Sequence, residues 1–132
     1  MYKDLRKIHE SNIRCKDGHY VRSKSEKIID DWLYDNNYLH EYEPIIINKY
    51  NPNISYFPDF LLKKENIYIE YWGLDDKKYT EKMNEKAAYY AKNNIVFIGL
   101  HENDIMHIDD IMPRVIQDRL WMKKIIEEGV PY

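Results

Sequence analysis

The sequence predicts an α/β domain in which a mixed β-sheet is flanked by α-helices. Three observations favour this fold class. Helical and extended patterns alternate along the 132 residues, hydrophobic residues make up 44% of the chain, and no Gly/Ser linker or internal repeat divides it. We therefore expect one domain over residues 1–132, with a core over about 18–100 and a C-terminal helix over about 109–128.

Four segments are predicted to be helices. Residues 3–12 have a weak helical pattern, and a stronger one begins at Ser23 and ends near two asparagines at 36–37. A third helix is expected over about 79–92 and the last over about 109–128, where apolar residues recur at helical spacing. These helices provide the layers that cover a sheet.

Strands are predicted over residues 42–47, 59–63, 67–72 and 95–100. The second and third read as the arms of a hairpin around Lys64-Glu65, and the fourth is wholly apolar, as in a strand covered on both faces. Residues 48–58, rich in Asn, Pro and Tyr, are expected to form a loop.

Two carboxylates face each other across the predicted hairpin. A two-residue loop at Lys64-Glu65 pairs Asp59 with Glu70, with Cβ atoms roughly 5 Å apart. Like charges at this spacing repel each other, and a hard divalent cation such as Mg²⁺ or Mn²⁺ would convert the repulsion into coordination. The alternative is a different loop length, which would leave both acids in water.

Four segments together resemble a known family: Val21–Ile29, Tyr42-Glu43, Phe57–Phe60 and Tyr68–Gly73. They are similar to the PD-(D/E)XK, or restriction-endonuclease-like, nuclease superfamily, in particular to small nuclease domains found alone or fused to helicases. The resemblance covers roughly residues 18–100. Its strongest part is a Pro-Asp pair followed, eleven residues after the Asp, by a Glu in a hydrophobic strand.

The resemblance implies a restriction-endonuclease-like core and a metal-dependent phosphodiesterase. Asp59 and Glu70 would ligate one or two Mg²⁺ ions, with Mn²⁺ as a substitute, and Glu26 matches the family's helix acid. Glu26 also has a purely structural explanation. With Ser23 three residues before it, it reads as the second half of a capping box at the start of a helix.

The family's lysine, two residues after the glutamate, is missing here because Trp72 occupies its place. An indole cannot contact a phosphate oxygen as an ammonium does. In related domains a lysine on the following helix takes over, which selects Lys86, with Lys82 one turn earlier as the reserve. The alternatives are that both lysines are ordinary solvent-exposed residues or that the domain is not catalytic.

Basic residues around the predicted site are candidates for contacts with a nucleic-acid backbone. Arg22, Lys24 and Lys27 flank the helix acid, and Lys77 and Lys78 follow the catalytic strand. The net charge of −3 does not indicate nucleic-acid binding, but residues 1–27 carry eight Lys and Arg against four Asp and Glu. A basic end on an acidic body suits a protein that contacts phosphate.

The sequence thus predicts a Mg²⁺-dependent endonuclease that acts on DNA. RNA stays open as a substrate, as does pairing of two copies into a homodimer through the C-terminal helix. The alternative is a catalytically inactive nucleic-acid-binding or assembly module with the same fold. No apolar run is long enough for a membrane span, and a cytoplasmic protein is expected. Cys15 and His19 lie four residues apart, but without a second Cys/His pair they do not predict a zinc site.

Overall fold

The computed structural model describes residues 11–73 and 77–130, without the side chains of residues 77–80. The weak helix predicted over residues 3–12 therefore lies almost entirely outside the described part of the chain. The elements are β1 (Ile13–Arg14), β2 (Tyr20–Val21), α1 (Lys24–Asp35), β3 (His40–Tyr42), β4 (Ile46–Ile47), β5 (Ser55–Tyr56), β6 (Phe60–Leu62), β7 (Ile67–Gly73), α2 (Lys77–Lys92), β8 (Phe97–His101), α3 (Glu102–Met106) and α4 (Ile108–Glu128).

The central sheet has four strands in the order β3-β6-β7-β8. The first three are antiparallel neighbours, and β8 runs parallel to β7 after the crossover through α2. The predicted mixed α/β architecture is confirmed. None of the four helices in the described residues is long and apolar enough to cross a membrane.

The hairpin of β6 and β7 has the predicted register but a longer loop. Leu61 pairs with Tyr68, as a two-residue loop would require, yet the ladder already ends where Leu62 pairs with Ile67. Residues 63–66 form a four-residue turn, closed by a 2.8 Å hydrogen bond from the backbone N–H of Asn66 to the carbonyl of Leu62. Asn66 has a φ of 55°, a left-handed conformation that asparagine tolerates.

The single strand predicted over residues 42–47 is wrong. β3 ends at Tyr42, and β4 belongs to a separate two-stranded sheet with β5, which lies inside the predicted loop 48–58. The break has a local cause. Glu43 adopts a φ of 53°, and the next residue, Pro44, has no N–H to contribute to a ladder.

Helix α1 begins as predicted. Ser23 is the N-cap residue, and its hydroxyl accepts a 3.1 Å hydrogen bond from the backbone N–H of Glu26. Helix α2 begins two residues earlier than expected, and the short α3 was not predicted. The predicted C-terminal helix corresponds to α4.

The two faces of the central sheet carry different side chains. One face packs against α1 and α4 through an apolar core that includes Phe60, Ile69, Ile98 and Met112. Because side chains alternate along a strand, the other face of β7 carries Glu70 and Trp72 toward α2. The candidate site belongs to this second face and to the adjoining ends of β3 and β6.

Candidate active site

Glu70 is almost completely buried, with 1% of its surface exposed. A carboxylate in such a position needs a cationic partner because burial without one is costly. Lys86 of α2 provides that partner, since its ammonium forms an ion pair with Oε2 of Glu70. The strand acid and the helix lysine that the sequence singled out therefore touch.

Lys86, rather than Lys82, is the lysine brought to the site. Lys86 is 8% exposed and lies four residues before Tyr90, which is also fully buried, whereas Lys82 is exposed to solvent. The Nζ atom of Lys86 lies 5.5 Å from the ring centroid of Trp72. The indole of Trp72 thus helps to hold an ammonium that comes from the neighbouring helix.

Trp72 has space for its ring because the neighbouring strand carries a glycine. A Cβ atom at Gly99 would lie 2.3 Å from Nε1 of Trp72, a distance that no packed pair of atoms tolerates. Phe97 makes an edge contact with the same ring at a centroid distance of 6.3 Å. Gly99 thus leaves the space that the indole occupies.

Asp59 lies directly before β6, and its backbone is hydrogen-bonded to the chain on both sides. Its carbonyl accepts a 2.8 Å hydrogen bond from the N–H of Glu43, and its own N–H donates to the carbonyl of Ile69 at 3.0 Å. Its Oδ2 accepts a 2.6 Å hydrogen bond from the N–H of Tyr71, which fixes the carboxylate beside Glu70 on β7.

The pKa of Asp59 lies well above its ordinary value. Burial is the main cause, and the negative charges of Glu70 and Glu26 raise the pKa further. The N–H of Tyr71 and the ammonium of Lys86 oppose this effect without cancelling it. Three acids and one lysine therefore influence one another electrostatically, and the pocket carries an excess of negative charge.

Glu26 is buried where α1 begins, and its Oε1 accepts three hydrogen bonds. The donors are the N–H of Arg22 at 3.1 Å and the hydroxyls of Ser23 and Tyr42, each at 3.2 Å. In the predicted capping box, the Glu26 carboxylate would accept a hydrogen bond from the N–H of Ser23. It accepts instead from the N–H of Arg22, one residue earlier. Glu26 is thus a structural cap and, at the same time, a charge that acts on Asp59.

Two of the five residues predicted to contact nucleic acid are engaged in ion pairs. Arg22 donates two hydrogen bonds to Glu43, at 2.9 Å from Nε and 3.0 Å from Nη2, and Lys27 contacts Asp31 at 2.7 Å. Lys24 is exposed to solvent. The side chains of the two remaining candidates, Lys77 and Lys78, lie outside the described residues.

A tight set of metal-ligating atoms occurs elsewhere, where the turn between β1 and β2 meets the middle of α1 and the start of β3. In the described part of the chain, Asp17, His19, Asp30 and His40 bring four such atoms within 4.8 Å of one another, and Cys15, Asp30 and Asp31 form a second set. Glu26, Asp59 and Glu70 do not form a set this compact. Sequence reasoning missed the four-residue cluster because its histidines are 21 residues apart.

The donor set of Asp59 and Glu70 nevertheless fits a hard divalent cation. Mg²⁺ is commonly held by one or two carboxylates, with waters and substrate phosphates filling the other positions. A cation would also relieve the like-charge repulsion that raises the pKa of Asp59. Glu26 would then contact the cation through a bound water.

Comparison with known proteins finds no matching protein family, no matching characterised protein and no matching solved structure. The function of the chain must therefore be inferred from the side chains that its fold brings together. Two centres are available for that inference: the acidic pocket, defined as Glu26, Asp59, Glu70 and Lys86, and the His/Asp cluster, defined as Asp17, His19, Asp30 and His40.

Proposed function

We propose that this protein is a Mg²⁺-dependent nuclease of the PD-(D/E)XK type that hydrolyses phosphodiester bonds in DNA. One observation carries the proposal. Lys86 contacts Glu70 in a buried pocket next to Asp59, although Trp72 occupies the usual lysine position. A lysine of α2 that contacts the glutamate of β7 supports the idea that the site has the acids and the lysine of such a nuclease. The lysine would come from the helix instead of from the strand.

Each residue of the acidic pocket has a distinct role in this proposal. Asp59 and Glu70 would hold Mg²⁺, which would supply the activation of an attacking water and the neutralisation of charge on the scissile phosphate. The N–H of Tyr71 keeps the Asp59 carboxylate oriented. Lys86 moves its ammonium from Glu70 to a phosphate oxygen, where negative charge builds up during the reaction.

A second candidate function is a binding or assembly module without activity. The observation in its favour is the same ion pair, because Lys86 already compensates the charge of Glu70 without a metal. Such a module would bind nucleic acid with no need for Mg²⁺. The two functions therefore differ in whether metal is required and in whether product forms.

The test is cleavage of supercoiled plasmid, single-stranded DNA and RNA, each with Mg²⁺ or Mn²⁺ and with EDTA. We expect metal-dependent nicking of the plasmid by the wild-type protein. Asp59→Asn should reduce the rate by about a hundredfold or more, because it removes a metal ligand and a charge from the reacting centre. Asp110→Asn is the matched control, since this aspartate is exposed at the start of α4.

Two outcomes would contradict the proposal. If a folded wild-type protein cuts none of the three substrates, the binding module is favoured. If Asp59→Asn cuts as fast as Asp110→Asn, the acidic pocket is not the centre of the reaction. Cleavage of RNA alone would keep the mechanism and change the substrate.

A further inference from the structure

The four ligand atoms of the His/Asp cluster form a ring in which nitrogen and oxygen alternate. Nδ1 of His19 lies 2.9 Å from Oδ2 of Asp17 and 2.9 Å from Oδ2 of Asp30. Nε2 of His40 lies 2.9 Å and 3.1 Å from the same two oxygens. Each nitrogen therefore faces both carboxylates, and each carboxylate faces both imidazoles.

These spacings match those of ligands around one metal ion. Nitrogen and oxygen ligands bind Zn²⁺ and similar ions at about 2.0–2.2 Å, so neighbouring ligands lie about 3 Å apart at right angles and about 3.4 Å apart in a tetrahedron. All four edges of the ring have the right-angle length, a few tenths of an ångström short of a tetrahedral site. A simple salt bridge needs only one such contact, whereas here four contacts converge on a common centre.

The hydrogen bonding of His40 provides an independent indication. Its Nδ1 lies 2.7 Å from the carbonyl of Tyr38, a contact that requires the ring proton on Nδ1. A histidine that binds a metal typically donates its other ring N–H to a backbone carbonyl in this way. With the ring proton on Nδ1, Nε2 faces the two carboxylates with a lone pair in the neutral ring, or with a second N–H in the imidazolium.

A lone pair facing two carboxylates needs a cation between them. The side chain of His40 is only 4% exposed, and its Nε2 has no hydrogen-bond partner despite the two short contacts. Oδ2 of Asp17 likewise has none. Nε2 of His40 and Oδ2 of Asp17 are therefore close to their neighbours but wrongly oriented for hydrogen bonds, as expected for atoms that point at an ion, whereas Nδ1 of His19 does form a 2.9 Å hydrogen bond with Oδ2 of Asp30.

We propose that Asp17, His19, Asp30 and His40 form a binding site for one divalent transition-metal ion, with Zn²⁺ as the first candidate. Imidazole nitrogen favours such ions over Mg²⁺, which prefers oxygen ligands only. The site is separate from the acidic pocket and does not depend on nuclease activity.

The position of the site in the fold indicates its role. Asp17 and His19 come from the turn between β1 and β2, Asp30 from α1 and His40 from β3. A bound ion would tie the N-terminal hairpin to the helix and to the edge of the central sheet. Asp30 lies one helical turn after Glu26, so the ion would also hold the helix that carries an acid of the proposed nuclease centre.

The first test is metal content. Protein purified without chelator should contain about one equivalent of Zn²⁺ or another transition metal by elemental analysis. His19→Gln is the informative variant, because this side chain is 37% exposed and its loss leaves the core intact. We expect His19→Gln to weaken Zn²⁺ binding at least about tenfold. His107→Gln, which changes an exposed histidine outside the cluster, should bind like the wild type.

The second test is thermal unfolding after removal of metal with a chelator. Added Zn²⁺ should raise the melting temperature of the wild type and of His107→Gln, and Mg²⁺ at the same concentration should not reproduce the effect. Asp59→Asn should keep the full Zn²⁺ response, which separates this site from the acidic pocket.

Two results would overturn the metal site. One is a metal-free purified protein whose melting temperature does not respond to Zn²⁺, which would make the cluster a protonated His–Asp network. The other is equal Zn²⁺ affinity in His19→Gln and His107→Gln. Neither result would affect the nuclease proposal, and a failed cleavage experiment would not affect this one.

Discussion

The acidic pocket and the His/Asp cluster both bring several acids close together, but the negative charge is compensated differently in each. In the acidic pocket the strand carboxylate of Glu70 is compensated by Lys86, while Asp59 keeps a raised pKa. In the His/Asp cluster two carboxylates alternate with two imidazoles at 2.9–3.1 Å. Helix α1 contributes Glu26 to one centre and Asp30 to the other.

This difference in the groups that face the carboxylates indicates which cation would suit each centre. The acidic pocket offers only oxygen ligands and already contains one ammonium, so it suits a hard, exchangeable ion that arrives with a phosphate. The His/Asp cluster offers nitrogen ligands in a closed arrangement, so it suits a resident transition metal. If both proposals hold, the two metals would bind this domain without competing for the same site.

The largest expected effect distinguishes the two lysines of α2. If Lys86 acts on the phosphate, Lys86→Met should lower the rate of plasmid nicking roughly a hundredfold. Lys82→Met, one turn away and exposed, should change the rate less than about twofold, as expected for a charge on the surface. Equal rates for the two variants would remove Lys86 from the mechanism.

A second prediction separates the two acids of the acidic pocket by the sign of their effect on stability. Without added Mg²⁺, Glu70→Gln should lower the free energy of unfolding by about 3 kcal/mol, because it removes a carboxylate that pairs with the buried Lys86 ammonium. Asp59→Asn should instead raise it by about 1 kcal/mol, because it removes the acid whose ionisation is opposed by burial and like charges. Urea unfolding measures both.

The double variant Glu70→Gln/Lys86→Met is the control for this prediction. It removes both charges of the pair and should recover most of the stability lost in Glu70→Gln. A Glu70→Gln protein as stable as the wild type would mean that the ion pair between Glu70 and Lys86 does not contribute to the free energy of unfolding.

The smallest expected effect is a pH dependence. The pKa of Asp59 in the folded protein lies above the ordinary value of 3.8, so its contribution to stability is complete below pH 3.8 and is lost as pH rises through the folded pKa. The stability difference between Asp59→Asn and the wild type should therefore grow between pH 4 and pH 7. A difference that is constant with pH would show that the Asp59 carboxylate titrates as it does in the unfolded chain.

Local sequence determined much of the acidic pocket. Alternation along β7 put Glu70 and Trp72 on one face, and the hairpin register followed from turn residues and strand lengths even though the loop proved to have four residues. The choice of Lys86 over Lys82 came from the family resemblance, and the packing of α2 on the sheet is consistent with it. These features depend on residues near one another in the chain or on a periodic pattern.

Only the tertiary structure decided which distant side chains meet. His19 and His40 share a cluster, and Arg22 is paired with Glu43, because β1, β2 and β3 all converge on α1. No local pattern encodes these distances. The break at Glu43 had a visible cause in Pro44, but the pairing of β4 with β5 depended on the closure of a seven-residue loop, residues 48–54. Local periodicity sets the face on which a side chain lies, whereas its partner across the fold is set by how whole elements pack.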